Sequence, residues 1–340
     1  IFSKQEPERG LVERDTIRFD MTRVVSPIAL SSGQIVLDKD VTIEGPGANL
    51  LTIRNTAPLG TTSRVLLVQS GVTVTLSGLT MTGGNVLWPE RGGGILNLGH
   101  LTVSFSTLSS NTAGNDGGGV ANVNGTLALS HSTISNNSTA TIGGGVMAFW
   151  TSTRPTTVVT HSTVSGNRAS LSGGGLYAEG EFSIVNSTIS GNSTGGDGGA
   201  ITSTNDLTLL NSTVAGNSAQ EEGGLNLDLG TLTLRNTILA NNQGSGGDCG
   251  SSPRGTINAE FSLIGSGLSC VSGTNVNNLT GDPLLGPLQD NGGPTFTHAV
   301  LPGSPAINAG SDALAMNAGL TTDQRGLGRF DGAAVDIGAF

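Results

Sequence analysis

A single all-β domain, a right-handed parallel β-helix of about 24–30 residues per coil closed by a C-terminal capping region, is the fold this sequence predicts. Three observations carry the prediction. First, two markers keep step along the chain. The apolar residue after each glycine cluster falls at Ile95, Val120, Val146, Leu176, Ile201 and Leu225, in steps of 25, 26, 30, 25 and 24. The asparagine closing each "STxSxN" stretch falls at Asn111, Asn137, Asn167, Asn192, Asn217 and Asn241. A period of this size over six units is the signature of a solenoid. Second, segments such as "GTLALSHSTIS" (Gly125–Ser135) and "GEFSIVNSTIS" (Gly180–Ser190) alternate apolar with small polar residues at period two, the pattern of half-buried strands. Third, the units are rich in Ser, Thr, Gly and Asn, which are poor helix formers, so the helix-bearing repeat classes do not fit.

Taken in order, residues 1–14 form a charged arm, "IFSKQEPERGLVER". Residues 15–91 are irregular opening coils without glycine triplets, 92–245 are regular coils, and 246–340 close the structure. Ile1 is not a native start, so an upstream segment is expected. In a stack, each turn position becomes a column, and a strained turn must be repeated in every coil. Gly166, Gly191 and Gly216, each just before a column asparagine, are expected to supply positive φ. The asparagines are expected to bond along the stack as a ladder. The glycine triplets are read as points where coils pass too closely for a β-carbon. They lack the phosphate-loop lysine or dinucleotide fingerprint that a nucleotide loop would need. The proline-bearing stretch from Pro283 to Pro305 reads as a wrap or cap, because proline cannot donate to a ladder.

Composition narrows the function. The net charge is −10, and the only lysines are Lys4 and Lys39, so no phosphate-tracking surface is expected. The longest apolar runs fall far short of a membrane span. Cys249 and Cys270 are separated by about one coil length, so they are expected in adjacent coils as a disulfide.

The coils from "GGGI" through "STISGN" resemble those of bacterial right-handed β-helix repeat proteins and are similar to repeats of chlamydial polymorphic outer-membrane proteins. The C-terminal stretch "GDPLLGPLQDNGGPTFTHAVLPGSPAINAG" (Gly281–Gly310), with "TDQRG" (Thr322–Gly326) and "DIGAF" (Asp336–Phe340), resembles the choice-of-anchor Q domain family. "DTIRFD" (Asp15–Asp20) and "VTIEGPGANLLTI" (Val41–Ile53) look like that family's first coils. The resemblance implies secretion and an extracellular or bacterial cell-surface setting, and it brings no catalytic motif with it.

Three places in the sequence carry residues that could do chemistry. Asp116, Asp197 and Glu221 share a column with Arg91, Ile142 and Ser172, and the Asp197/Glu221 pair could bind calcium. Because the column is not consistently acidic, it is read as a solvated turn face. His131 and His161 share another column, continued by Asn186, Asn211 and Arg235, and are read as a polar turn ladder. The 30-residue coil holds about five extra residues around "MAFWTSTRPTT", making Phe149, Trp150 and Arg154 the candidate contact loop. No catalytic residue, metal or cofactor is assigned. The expected function is a non-catalytic surface, structural or adhesive protein whose partners are extracellular glycan or further copies joined head to tail. The alternative is a polysaccharide lyase or hydrolase, which would require a groove of acids with Arg168 or Arg235.

Overall fold

The computed structural model describes residues 15–58 and 61–340; the arm 1–14 lies outside them. Alternating apolar and polar residues can bury one side of each short strand only if neighbouring coils supply the rest of the core. The chain accordingly winds as one right-handed parallel β-solenoid of about 10 turns. Coil spacing makes the stack roughly 50 Å long.

Each coil visits the same sheets in the same order. Sheet A has 11 strands, from Asp15–Arg18 to Asn275–Val276; sheet B has 11, from Ile28–Leu30 to Leu279–Thr280. A short sheet D of 5 strands, from Asn85–Val86 to Ser193–Thr194, leads into sheet C, whose 9 strands run from Ile35–Leu37 to Gly247–Ser251. Every strand in these four sheets pairs in parallel with its equivalents in adjacent coils, as in Leu101↔Leu127 and Val103↔Leu129.

The inward residues form one continuous core. Ile95, Val120, Val146, Leu176, Ile201 and Leu225 stand in register, each at most 1% exposed. The next residue in that column is Cys249, opposite Leu225. Cys270, from the segment between Leu263–Ile264 and Asn275–Val276, is disulfide-bonded to it with Cα atoms 5.8 Å apart. The cross-link therefore takes over the inward column at the coil where sheet C ends.

Buried turns are held by ladders. The backbone N–H and the Nδ2 of Asn111 both donate to Asn137 Oδ1 at 3.0 Å, and the same pattern repeats through Asn167, Asn192 and Asn217. The ladder then passes to Asn242 and not to Asn241. Asn241 is exposed at φ 61, in the column of Gly166, Gly191 and Gly216, whose φ values are 65, 66 and 69. Asparagine enters the left-handed region more readily than most side-chain-bearing residues, so in "ANN" the first asparagine takes the glycine's place. The buried carboxylate of Asp248 ends the ladder, accepting from Asn242 N and Nδ2 at 3.0 and 2.9 Å. A second ladder, unread in the sequence, runs through the serines of "STxS", with Ser106 N donating to Ser132 Oγ and Ser132 N to Ser162 Oγ.

The triplets are close-approach points. A β-carbon on Gly93 would stand 2.6 Å from Gly118 O, too near for any side chain.

The closing region does more than follow the last coil. After Thr280 the chain forms an antiparallel hairpin, Leu285–Gln289 with Thr297–Val300, and a short helix, Asp312–Asn317, capped by Ser311. It then runs back along the corner between sheets A and B as a strap.

Candidate functional site

The strap is docked by the motifs that looked family-like. Gln324 is fully buried; its Nε2 donates to Thr163 Oγ1 (3.0 Å) and Thr295 Oγ1 (2.9 Å), and its Oε1 accepts from Thr188 (2.7 Å). Arg329, 6% exposed, donates to the carbonyls of Gly338 and Ala339 and to Asn186 Oδ1. Ala339 N donates to Thr213 Oγ1, and Asn236 bonds Ser311 in both directions. Apolar strap residues close over the same flank, with Ala306 and Ile337 against Ile238 and Leu263.

The corner column comprises Phe105, His131, His161, Asn186, Asn211 and Asn236, all at φ of 45 to 50, and the strap is bonded to it at His161, Asn186 and Asn236. Arg235 is not in it. It ends a sheet A strand opposite Leu210 and Glu260, because a 25-residue step from Asn211 reaches Asn236. Phe105 stacks on His131 at 4.7 Å and His131 on His161 at 4.8 Å. Burial, helped by the charges of His131 and Arg329, pushes His161 down to about 4, so the stacked imidazole is neutral at pH 7. Its Nε2 meets Asn186 Nδ2 at 3.0 Å.

The outer face of sheet C holds the other candidates. Of the contact loop, Phe149 is half-buried, packed with Ala121, Val123 and Met147, and Arg91 lies 4.8 Å over its ring. Trp150 is 41% exposed and Arg154 is exposed as well. Asn124 Oδ1 fixes the loop by accepting from the N–H groups of Thr151, Ser152 and Thr153. Sequence reading thus found two free surface side chains and one structural one.

The acidic column splits in two. Asp116 is buried and ion-paired with Arg91 at 2.7 Å, which leaves it no free role. Asp197 and Glu221 are joined by Glu222, one carboxylate oxygen from each lying within 4.8 Å of the others. Burial pushes Glu222 up, and the charges of Asp197, Glu221 and Asp228 add to that. Tyr177, on the same face, is pushed up to about 12 by burial and then by Glu179, Asp228 and Asp116. Three such carboxylates could ligate a divalent cation or share a proton. Glu222 was passed over in the sequence because it lies one position off the column, although the "EE" doublet signals it. Arg235 pairs instead with Glu260 at 3.3 Å. Arg168 is exposed in sheet D between Ser138 and Ser193, and among the described residues neither arginine is ion-paired with these acids.

No protein-family model, curated protein or solved structure matches this chain. Its class rests on its own geometry, that of a β-solenoid with a disulfide-bonded core end and a flank strap. No helix among the described residues is long and apolar enough to cross a membrane.

Proposed function

We propose that the protein is a non-catalytic structural or adhesive β-helix of the extracellular or bacterial cell-surface space, akin to choice-of-anchor Q domain proteins. The disulfide is the observation that carries this reading. Such bonds persist in oxidising compartments and are rare where thiols are kept reduced. Here the bond joins a core position, Cys249, to the segment that covers the end of sheet C, so the fold makes structural use of it. A laddered rod of this kind holds its flanks rigidly at a distance from an attachment point, as adhesion requires. The test is fractionation and surface protease digestion of intact native cells. Protein found at the surface with no free thiol supports the reading; protein found in the reducing cytosol with free Cys249 and Cys270 defeats it.

Self-assembly belongs to the same reading. Among the described residues, the first strands of sheets A, B and C pair on one side only, and head-to-tail contacts on such edges propagate. Electron microscopy at rising concentration should show end-to-end rods for the full chain and single rods once residues 1–14 are deleted.

A second reading is favoured by one observation, the Asp197/Glu221/Glu222 group, in which a carboxylate with raised proton affinity neighbours others. That is the arrangement of an acid–base pair in a glycan hydrolase or lyase. The expected result is no turnover of pectin, alginate or chondroitin with or without calcium. Release of unsaturated products that Asp197→Asn abolishes would put the enzyme first.

A further inference from the structure

On the outer side of sheet B a column of threonines runs through successive coils, Thr80, Thr107, Thr133, Thr163, Thr188 and Thr213, before giving way to Ile238. Four of these hydroxyls are occupied by neighbouring chain. Thr80 donates to Ala48 O (2.6 Å), Thr163 to Phe296 O (2.6 Å) and Thr188 to Gln324 Oε1 (2.7 Å), while Thr213 accepts from Ala339 N (3.1 Å). The two between, Thr107 and Thr133, have no hydrogen-bond partner for their hydroxyls among the described residues. They face a groove of about 740 Å³, bounded at one end by the 47–49 loop and at the other by the tip of the strap hairpin. Loop and strap cover the column on both sides and leave this interval of two coils open.

The interval is furnished for a particular chemistry. Phe105, 55% exposed, stacks one ring face on His131. Its neighbour on the other side of the column is Gly78, which has no side chain to cover the second face. Phe296, 53% exposed, lines the far end. Among the described residues, the only carboxylate in the lining is Asp290, exposed, with Oδ1 accepting from Gly292 N. Among the described residues, no lysine or arginine lines the groove. A flat apolar platform beside hydroxyls one coil apart, a spacing close to the length of one pyranose residue, fits the two faces of a sugar. An acid without a cation disfavours uronates and other anions.

We propose that this groove is a saccharide-binding site for neutral or amino sugars, one ring stacking on Phe105 and its hydroxyls bonding Thr107 and Thr133. The choice of ligand rests on the extracellular adhesive reading, but binding by purified protein is measured independently of where the protein resides. Titration calorimetry of the full chain against short neutral, amino-sugar and uronic-acid oligosaccharides is the test. A neutral or amino sugar should bind, about tenfold more weakly to Phe105→Ala and about fivefold more weakly to Thr133→Val. Phe105→Tyr, which keeps the ring, and Thr102→Ala, on the exposed face of sheet A, should bind as the parent does. Circular dichroism shows whether each variant remains folded. Preference for uronates, binding indifferent to both Phe105→Ala and Phe105→Tyr, or absence of binding by every neutral and amino sugar would each overturn the proposal. So would occupation of the groove by a synthetic peptide of residues 1–14 that sugars fail to displace.

Discussion

Replacing Asn167 by alanine tests the asparagine ladder at its centre. The side chain is fully buried and makes four bonds. Its Oδ1 accepts from Asn137 N and Nδ2 at 3.0 Å, and its Nδ2 donates to Ile134 O and Asn192 Oδ1 at 2.9 Å. Their losses are unequal. Asn137 Nδ2 keeps Leu108 O, and Asn192 Oδ1 keeps Asn167 N, so each is only weakened. The Asn137 N–H loses its partner and is left buried. One orphaned donor together with the weakened bonds amounts to about 4 kcal/mol, or about 2 kcal/mol if a water enters the void. Urea unfolding followed by far-ultraviolet circular dichroism, compared at constant m value, measures the loss. Asn242→Ala and Asn241→Ala complete the experiment. The first should cost an amount similar to Asn167→Ala. The second removes only an exposed residue in the left-handed region, at about 1 kcal/mol, and Asn241→Gly should cost nothing measurable. A cost below 1 kcal/mol for Asn167→Ala, or equal costs at 241 and 242, would refute the reasoning.

The strap should loosen in acid. His161 has its folded value depressed from 6.5 to about 4 by burial, and His131 and His298 are lowered for the same reason. A depressed value means the unfolded or undocked state binds the proton more readily, so the stabilisation is whole above pH 6.5 and is lost as pH falls toward 4. Hydrogen exchange of residues 295–300 and 322–329, corrected for intrinsic rate, should rise over that window, and His161→Asn, which copies the next residue in the column, should flatten the rise. Breaking the disulfide by Cys249→Ala with Cys270→Ala releases a loop of 21 residues and should lower stability by about 3 kcal/mol. The loss should appear as earlier urea unfolding, which a reductant reproduces in the parent.

What could be read in the sequence was what repeats. The inward column from Ile95 to Leu225 shows itself because each coil must place an aliphatic residue after its glycine turn, and the cysteines show because one coil length separates them. The errors fall where a residue type substitutes for its neighbour without breaking the count. Asn241 mimics the ladder residue because asparagine, like glycine, accepts positive φ, and Arg235 was taken for Asn236 by a slip of one position. The strap was legible only as a wrap. Its partners lie far back along the chain, Thr163 with Phe296 and Gln324, Asn186 with Arg329, and no periodicity relates them. The groove was invisible for the same reason. It is defined by the two threonines that the strap does not reach.

The strap also measures the stack. Thr295 bonds His161 O, Arg329 reaches Asn186, and Ser311 meets Asn236, so its contacts are pinned to successive coils at fixed heights. Inserting or deleting one coil between His161 and Asn236 would shift half of those contacts by roughly 4.8 Å, one whole rung, and undock it. Coils on the N-terminal side of His131 carry no such constraint from the strap. Gain or loss of whole coils should therefore survive selection mainly there. A lineage could lengthen its rod at that end while the strapped half stays at constant length.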